Sequence, residues 1–139
     1  MKVTLEMDEN QARIVLQALD CLSRLYSGQV DVVLHTVLVH SKRWKELCEV
    51  TGGHGSAIES IRHLALLIGE LMTGLPSGTF WSIGNRRDMH ENAQTAWDIN
   101  EVLRHALAWF RNPKGGATVD FGEPMHWNPD QPLPKVKIE

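Results

Sequence analysis

The sequence is poor in the features that usually announce a chemistry. It has two cysteines in 139 residues, Cys21 and Cys48, far apart and without CxxC spacing. That fits the reduced thiols of a cytosolic protein better than a disulfide scaffold. Seven histidines form neither HxxxH nor HExxH, so no metal site is expected. There is no Walker loop, no GxSxG and no GxGxxG. "TGGHGS" before a helix offers backbone N–H groups to a phosphate, but it lacks the P-loop lysine and reads more simply as an interhelical turn. Catalytic residues, cofactors and enzymatic activity are therefore not expected. The longest apolar run, "LALLIGELM", is roughly half of what a membrane span needs, and "MKVTLEMDEN" is no signal peptide. A formal charge of −3 gives no global attraction to nucleic acid or anionic lipid, which leaves DNA binding as the weakest reading. Any anion site must be local.

What is present is a hydrophobic content of 42%, enough for one domain with its own core. The expected fold is mainly α with short flanking β-strands (α+β), a compact helical domain with an extended proline-rich C-terminal arm. Residues 1–112 form the helical ligand-binding and oligomerisation part, and 113–139 a short strand and the arm of the same domain. "KVTLEM" alternates and predicts a strand, as does "ATVDF". "TFWSIGN" fits a short strand or an ordered loop. Asp8 with Gln11 has capping-box spacing, and Gly28 ends the helix it starts. "VDVVLHTVLV" is read as helix rather than strand, and "SKRWKELCEV" as another short helix. Ser56 with Glu59 and Asp88 with Glu91 are the predicted starts of two longer helices, the second running to about Arg111. The arm, with Pro124, Pro129, Pro132 and Pro134, is either loose or laid on a neighbouring subunit, with Phe121 and Trp127 as its available anchors.

The helix "TAWDINEVLRHALAWF" raises the functional question. Wound at about 100° per residue, it gathers Ile99, Val102, Leu103, Ala106, Leu107, Trp109 and Phe110 on one apolar face. Trp97 falls on the opposite face, in a row with Arg104 and Arg111 at seven-residue spacing. An indole beside guanidinium groups suits a nucleotide, stacked on its base and paired with its phosphate. It equally suits a subunit interface. The plain alternative is that another segment of the chain covers Trp97. In "GLPSGTFWSIGNRRD", Phe80 and Trp81 point to opposite sides if extended, and Asn85, Arg86 and Arg87 follow. Such a loop suits a phosphorylated ligand. Arg24 and Gln29 flank the Gly28 turn and carry less weight on physics alone.

"ALDCLSRLYSGQVDVVL", "FWSIGN", "AWDINEVLRHALAWFRNP" and "VDFGEPM", in that order, resemble the phage-encoded Thoeris anti-defence sponge family. The similar stretches are scattered over residues 1 to 128, and the ordered set carries the resemblance rather than any single motif. The chain departs from the family pattern at Val30, where an aromatic is expected, and at "INEV", where a tyrosine–glutamine pair is expected.

The resemblance implies a protein that binds and sequesters a cyclic ADP-ribose isomer, and in some members cyclic oligonucleotides, without cleaving them. It implies a homo-oligomer, from dimer up to hexamer, in the cytoplasm of the infected bacterial host. The implied ligand-binding residues are Arg104, Trp97, Trp81, Phe80, Asn85, Asp98 and His105, with Arg24 and Gln29. Arg104 is expected to contact phosphate, Trp81 or Trp97 to stack on adenine, and Asn85 to read the base or a ribose hydroxyl. The alternatives are a protein-binding inhibitor or assembly factor acting through an exposed Trp/Arg surface, and a nucleotide-cleaving enzyme.

Overall fold

Asp8 starts the first helix as its spacing predicts. Its carboxylate accepts from the Gln11 backbone N–H at 2.8 Å, and the Gln11 side chain accepts from the Asp8 N–H at 2.9 Å. The computed structural model describes residues 3–81 and 88–138. Helix α1 (Glu9–Ser27) ends at Gly28, whose φ of +88° is the left-handed conformation that glycine adopts without steric cost. Helix α2 (Val30–Val39) follows at once, so "VDVVLHTVLV" is helical as read. Then come α3 (Trp44–Thr51), α4 (His54–Thr73), α5 (Glu91–Arg111) and a single 3₁₀ turn over Val119–Phe121.

Helices α1 and α5 pack along each other. Ala12, Leu103 and Leu107 form their buried core, and Val15, Leu16, Val136 and Ile138 pack against it. The last two come from the end of the chain, so the arm returns to its own helices rather than hanging loose. Helix α4 packs on α2 and α3, and its buried side is mostly small residues, Ala57, Ala65 and Gly69, with Ile61 among them. Close approach explains the glycine: a Cβ on residue 69 would stand 3.1 Å from the Gly28 carbonyl oxygen.

The expected β-strands are absent among the described residues. Residues 3–7 have no regular structure, and Val3 and Leu5, the apolar half of the alternation, are 77% and 69% exposed. Alternation makes a strand only where a partner completes the ladder, and no second strand stands among the described residues. "ATVDF" closes into the 3₁₀ turn instead, with the Phe121 and Gly122 N–H groups donating to the Thr118 and Val119 carbonyls. Phe121 packs edge-on against Trp109 at 5.4 Å. Residues 79–81 are irregular, and the rest of "TFWSIGN" lies outside the described residues.

Two helix starts also differ from their spacing. Helix α4 begins at His54, after Gly53, two residues before Ser56. Helix α5 is capped by His90, whose Nδ1 accepts from the Asn92 N–H at 3.1 Å. The His90 ring also stacks on Tyr26 at 4.5 Å, a tertiary contact that the Asp88 spacing does not register. Among the described residues no helix is long and apolar enough to cross a membrane, and no three His, Cys, Asp or Glu side chains converge as metal ligands.

Candidate functional site: an aromatic cavity walled by the C-terminal arm

The indole on the polar side of α5 meets its own chain. Trp97 lies 5.2 Å from Trp127, ring to ring, and the Arg24 guanidinium carbon stands 6.0 Å from the Trp97 ring centre. Trp127 belongs to the arm. What looked like a solvated face is the seat of that arm.

Asp98 holds the arm in place. It is 4% exposed and accepts two backbone N–H groups, from Trp127 at 2.6 Å and from Asn128 at 3.0 Å. Asn128, 2% exposed, donates its amide to the Thr95 hydroxyl at 2.9 Å. His126 Nε2 stands 3.6 Å from the same Asp98 carboxylate. Asn100, two residues on and on the opposite side of the helix, donates to the Leu16 carbonyl of α1 at 2.8 Å. Asp98 and Asn100 thus satisfy backbone groups of other segments rather than water.

Between α1, α5 and the arm lies a cavity of about 180 Å³. Trp97, Trp127, Trp81 and Phe80 supply its aromatic surface, and Arg24 and Gln29 its polar edge. Ser23, Ser27, Met89 and Ala93 complete the wall. The chain reaches this arrangement by local rules. Arg24, on the last turn of α1, pairs with Asp20 at 2.8 Å and donates to Gln29 Oε1 at 2.6 Å across the glycine turn. The Trp81 N–H donates to the Ser27 carbonyl at 2.8 Å, fastening the segment after α4 to the end of α1. Ser23 Oγ donates to the Ala93 carbonyl at 2.9 Å, and Ser27 Oγ to the Arg24 carbonyl at 2.9 Å. Phe80 is 52% exposed at the rim.

Five of the residues read from the sequence therefore meet at one place: Arg24, Gln29, Phe80, Trp81 and Trp97. Asp98 acts from behind, by fixing Trp127. Arg104 and His105 line neither this cavity nor its neighbour. Arg104 Nη2 contacts Glu101 at 2.8 Å, and its buried Nε stands 2.8 Å from Asp120 Oδ1 but off the N–H direction, an ionic contact without a hydrogen bond. Burial pushes the Glu101 carboxyl above its ordinary value, Arg104 pulls it back, and Asp120, Asp98 and Asp20 add to the rise. His105 Nδ1 is 3.0 Å from the Asp120 carbonyl. Arg111 pairs with Glu9 at 2.6 Å. Asn85, with Arg86 and Arg87, lies outside the described residues.

Sequence reasoning treated Trp127 as an anchor and missed it as a wall of the site. The signal was a single indole in a proline-rich arm. It also missed a second, larger cavity of about 320 Å³, which shares Gln29 and Phe80 with the first and adds Asp31, Arg62 and Glu70.

Three indoles and a phenyl ring around a small space favour a planar ring. Arg24 already stands over Trp97, so a cation would share that side of the cavity with a guanidinium. The indole N–H of Trp127 is buried and unpartnered, one donor unused by the fold. No protein-family model, no curated protein and no solved structure matches this chain.

Proposed function

We propose that the chain binds and sequesters a cyclic nucleotide-type immune signal, a cyclic ADP-ribose isomer in the first instance, and leaves it uncleaved. One observation carries the reading: Arg24, Gln29, Phe80, Trp81 and Trp97, separated by up to 73 positions, converge with Trp127 on a single aromatic cavity. Its volume of about 180 Å³ is below the roughly 300–1,000 Å³ of pockets that enclose a whole ligand. It takes the base. Sugar and phosphate extend past Phe80 and Gln29 into the larger cavity, where the cation, Arg62, is paired with Glu59 at 3.2 Å and stands beside Asp31 and Glu70, so a phosphate there must draw Arg62 from its partner. Base–aromatic stacking is worth about 1–3 kcal/mol per base, and Gln29 adds an amide to read its edge. In this reading Arg24, rather than Arg104, is the guanidinium nearest the base. The resemblance to the Thoeris sponge proteins supplies the ligand class, and the host cytoplasm as the place of action.

The test is depletion and release. The purified protein is mixed with cyclic ADP-ribose isomers and with cyclic di- and trinucleotides, and the free pool is measured by chromatography before and after heat denaturation. A ligand that disappears and returns intact is the expected result. A ligand that returns altered makes the protein an enzyme. A pool that never falls removes the reading.

A further inference from the structure

We infer that the larger cavity is a ribose subsite whose carboxylates select free sugar hydroxyls and reject a phosphate ester on the 2′ or 3′ oxygen. The inference rests on the reading that the aromatic cavity takes a base. It adds what the protein accepts attached to that base.

Gln29 and Phe80 line both cavities, so a ligand that spans the two passes them. Gln29 is already oriented. Its Oε1 accepts from Arg24 Nη1 at 2.6 Å, and Arg24 lines the aromatic cavity but not the larger one. The amide oxygen is spent on the protein, and the NH₂ group is left to donate. Phe80, 52% exposed, offers its ring to the apolar face of a sugar. Beyond them the wall is short of side chains, because Gly28, Ala65, Gly69 and Gly78 line it. A ligand there approaches backbone closely and meets its charges at Asp31, Arg62 and Glu70.

Those charges favour hydroxyls. Asp31, in the first turn of α2, has no hydrogen-bond or ion-pair partner among the described residues. Glu70 accepts the Ser77 hydroxyl through Oε2 and keeps Oε1 free. Arg62 is committed to Glu59 at 3.2 Å. A helix start favours an acid at Asp31 in any case, but Glu70 stands in the last turn of α4, where the helix dipole disfavours one. An ionised carboxylate only accepts, so the unspent groups here take O–H donors and repel a phosphate. Dinucleotide-binding domains make the same choice with the same group: an acidic side chain holds the ribose 2′-hydroxyl, and an arginine accommodates the 2′-phosphate. A metal ion fits less well, since no third ligand converges among the described residues.

The consequence reaches the ligand class. In a 3′–5′-linked cyclic oligonucleotide every 3′ oxygen is already esterified, whereas an unsubstituted ribose presents two donors. Among cyclic nucleotide-type signals the larger cavity selects those that keep a free diol.

The experiment measures binding of adenine, adenosine, 2′-deoxyadenosine and adenosine 2′- and 3′-monophosphate to the full chain, by tryptophan fluorescence and by titration calorimetry. Adenosine is expected to bind about ten-fold tighter than 2′-deoxyadenosine, the worth of one hydrogen bond to a charged group, and tighter than either phosphate by about the same factor. Asp31→Asn/Glu70→Gln keeps the shape of the wall and removes its charge. It is expected to bring the two phosphates level with adenosine and to leave adenine affinity unchanged. Asp31→Asn alone breaks no contact among the described residues and is expected to narrow the same gap, so it carries the test if the double variant does not fold. A wild type that binds 2′-deoxyadenosine or the phosphates as tightly as adenosine overturns the inference, while its binding of adenine keeps the base reading. A gap that persists in the folded variants also overturns it, since the carboxylates are then not its cause. A chain that binds neither adenine nor adenosine removes the base reading itself, and this inference with it.

Discussion

Removing the Asp98 carboxylate should detach the C-terminal arm and open the aromatic cavity. Asp98 accepts the Trp127 and Asn128 N–H groups at 2.6 and 3.0 Å while only 4% exposed. Hydrogen bonds to a charged group contribute about 1.5–3 kcal/mol each. Asp98→Ala leaves two donors without an acceptor, so docking of the arm should weaken by about 3–5 kcal/mol. His126 adds little, because its ring is 3.6 Å away and 38% exposed. Asp98→Asn keeps one acceptor and turns an NH₂ group toward the other N–H, for about half that loss. A deficit of this size is a large part of a typical total stability of about 5–15 kcal/mol, so the chain should release residues 126–138 before it unfolds globally. The assay is amide hydrogen exchange at Trp127 and Asn128, read against the α1–α5 core at Leu103 and Leu107. In Asp98→Ala the two arm amides should exchange at least a hundred-fold faster while the core amides stay protected. Unchanged protection at Trp127 and Asn128 would refute the clamp. Equal loss at all four positions would show that Asp98 supports α5 itself and not the arm.

Trp127→Ala should lower ligand affinity by about 1–3 kcal/mol if the ring stacks on a base, measured by titration calorimetry with whichever signal the depletion assay identifies. Arg104→Ala should leave that affinity within about two-fold and instead destabilise the fold, since Glu101 and Asp120 lose their shared cation; thermal denaturation and titration on the same sample separate the two effects. Because burial raises the Glu101 carboxyl above 4.5, the native state holds its proton longer than the unfolded chain does. This group's contribution is therefore complete below about pH 4.5 and falls as pH rises to the native value, so Glu101→Gln should gain on the wild type across that window in denaturant titrations. Gly69→Ala should cost about 1–3 kcal/mol, because its methyl group would press the Gly28 carbonyl at 3.1 Å; an unchanged denaturation midpoint would mean that α4 yields without cost.

Local chemistry was legible in the sequence at the two ends of α1, where the partners are close along the chain. The Asp8–Gln11 box and the Gly28 stop complete themselves within a few residues, so spacing alone finds them. The start of α5 was misplaced because His90 owes its position to Tyr26, a ring 64 residues earlier. The two strand readings failed for a related reason: alternation in "KVTLEM" and "ATVDF" describes a possible surface, and only a neighbouring strand could have used it. One such error carried into the site. Read as a strand, residues 117–121 give no reason to put Asp120 beside Arg104; folded into a 3₁₀ turn, they set that carboxylate 2.8 Å from the guanidinium. The cation nominated for phosphate already has two carboxylate neighbours. Trp97 shows the limit from the other side. A helical wheel locates an indole among polar residues but cannot tell solvent from a returning segment. Asp98 lay next to it in plain view. Its purpose appears only with the arm, whose backbone N–H groups, 29 and 30 residues on, need a buried acceptor there. A polar face that looks made for a ligand is first a face that the chain uses on itself, and the cavity exists because the arm's indole does not fill the space between α1 and α5.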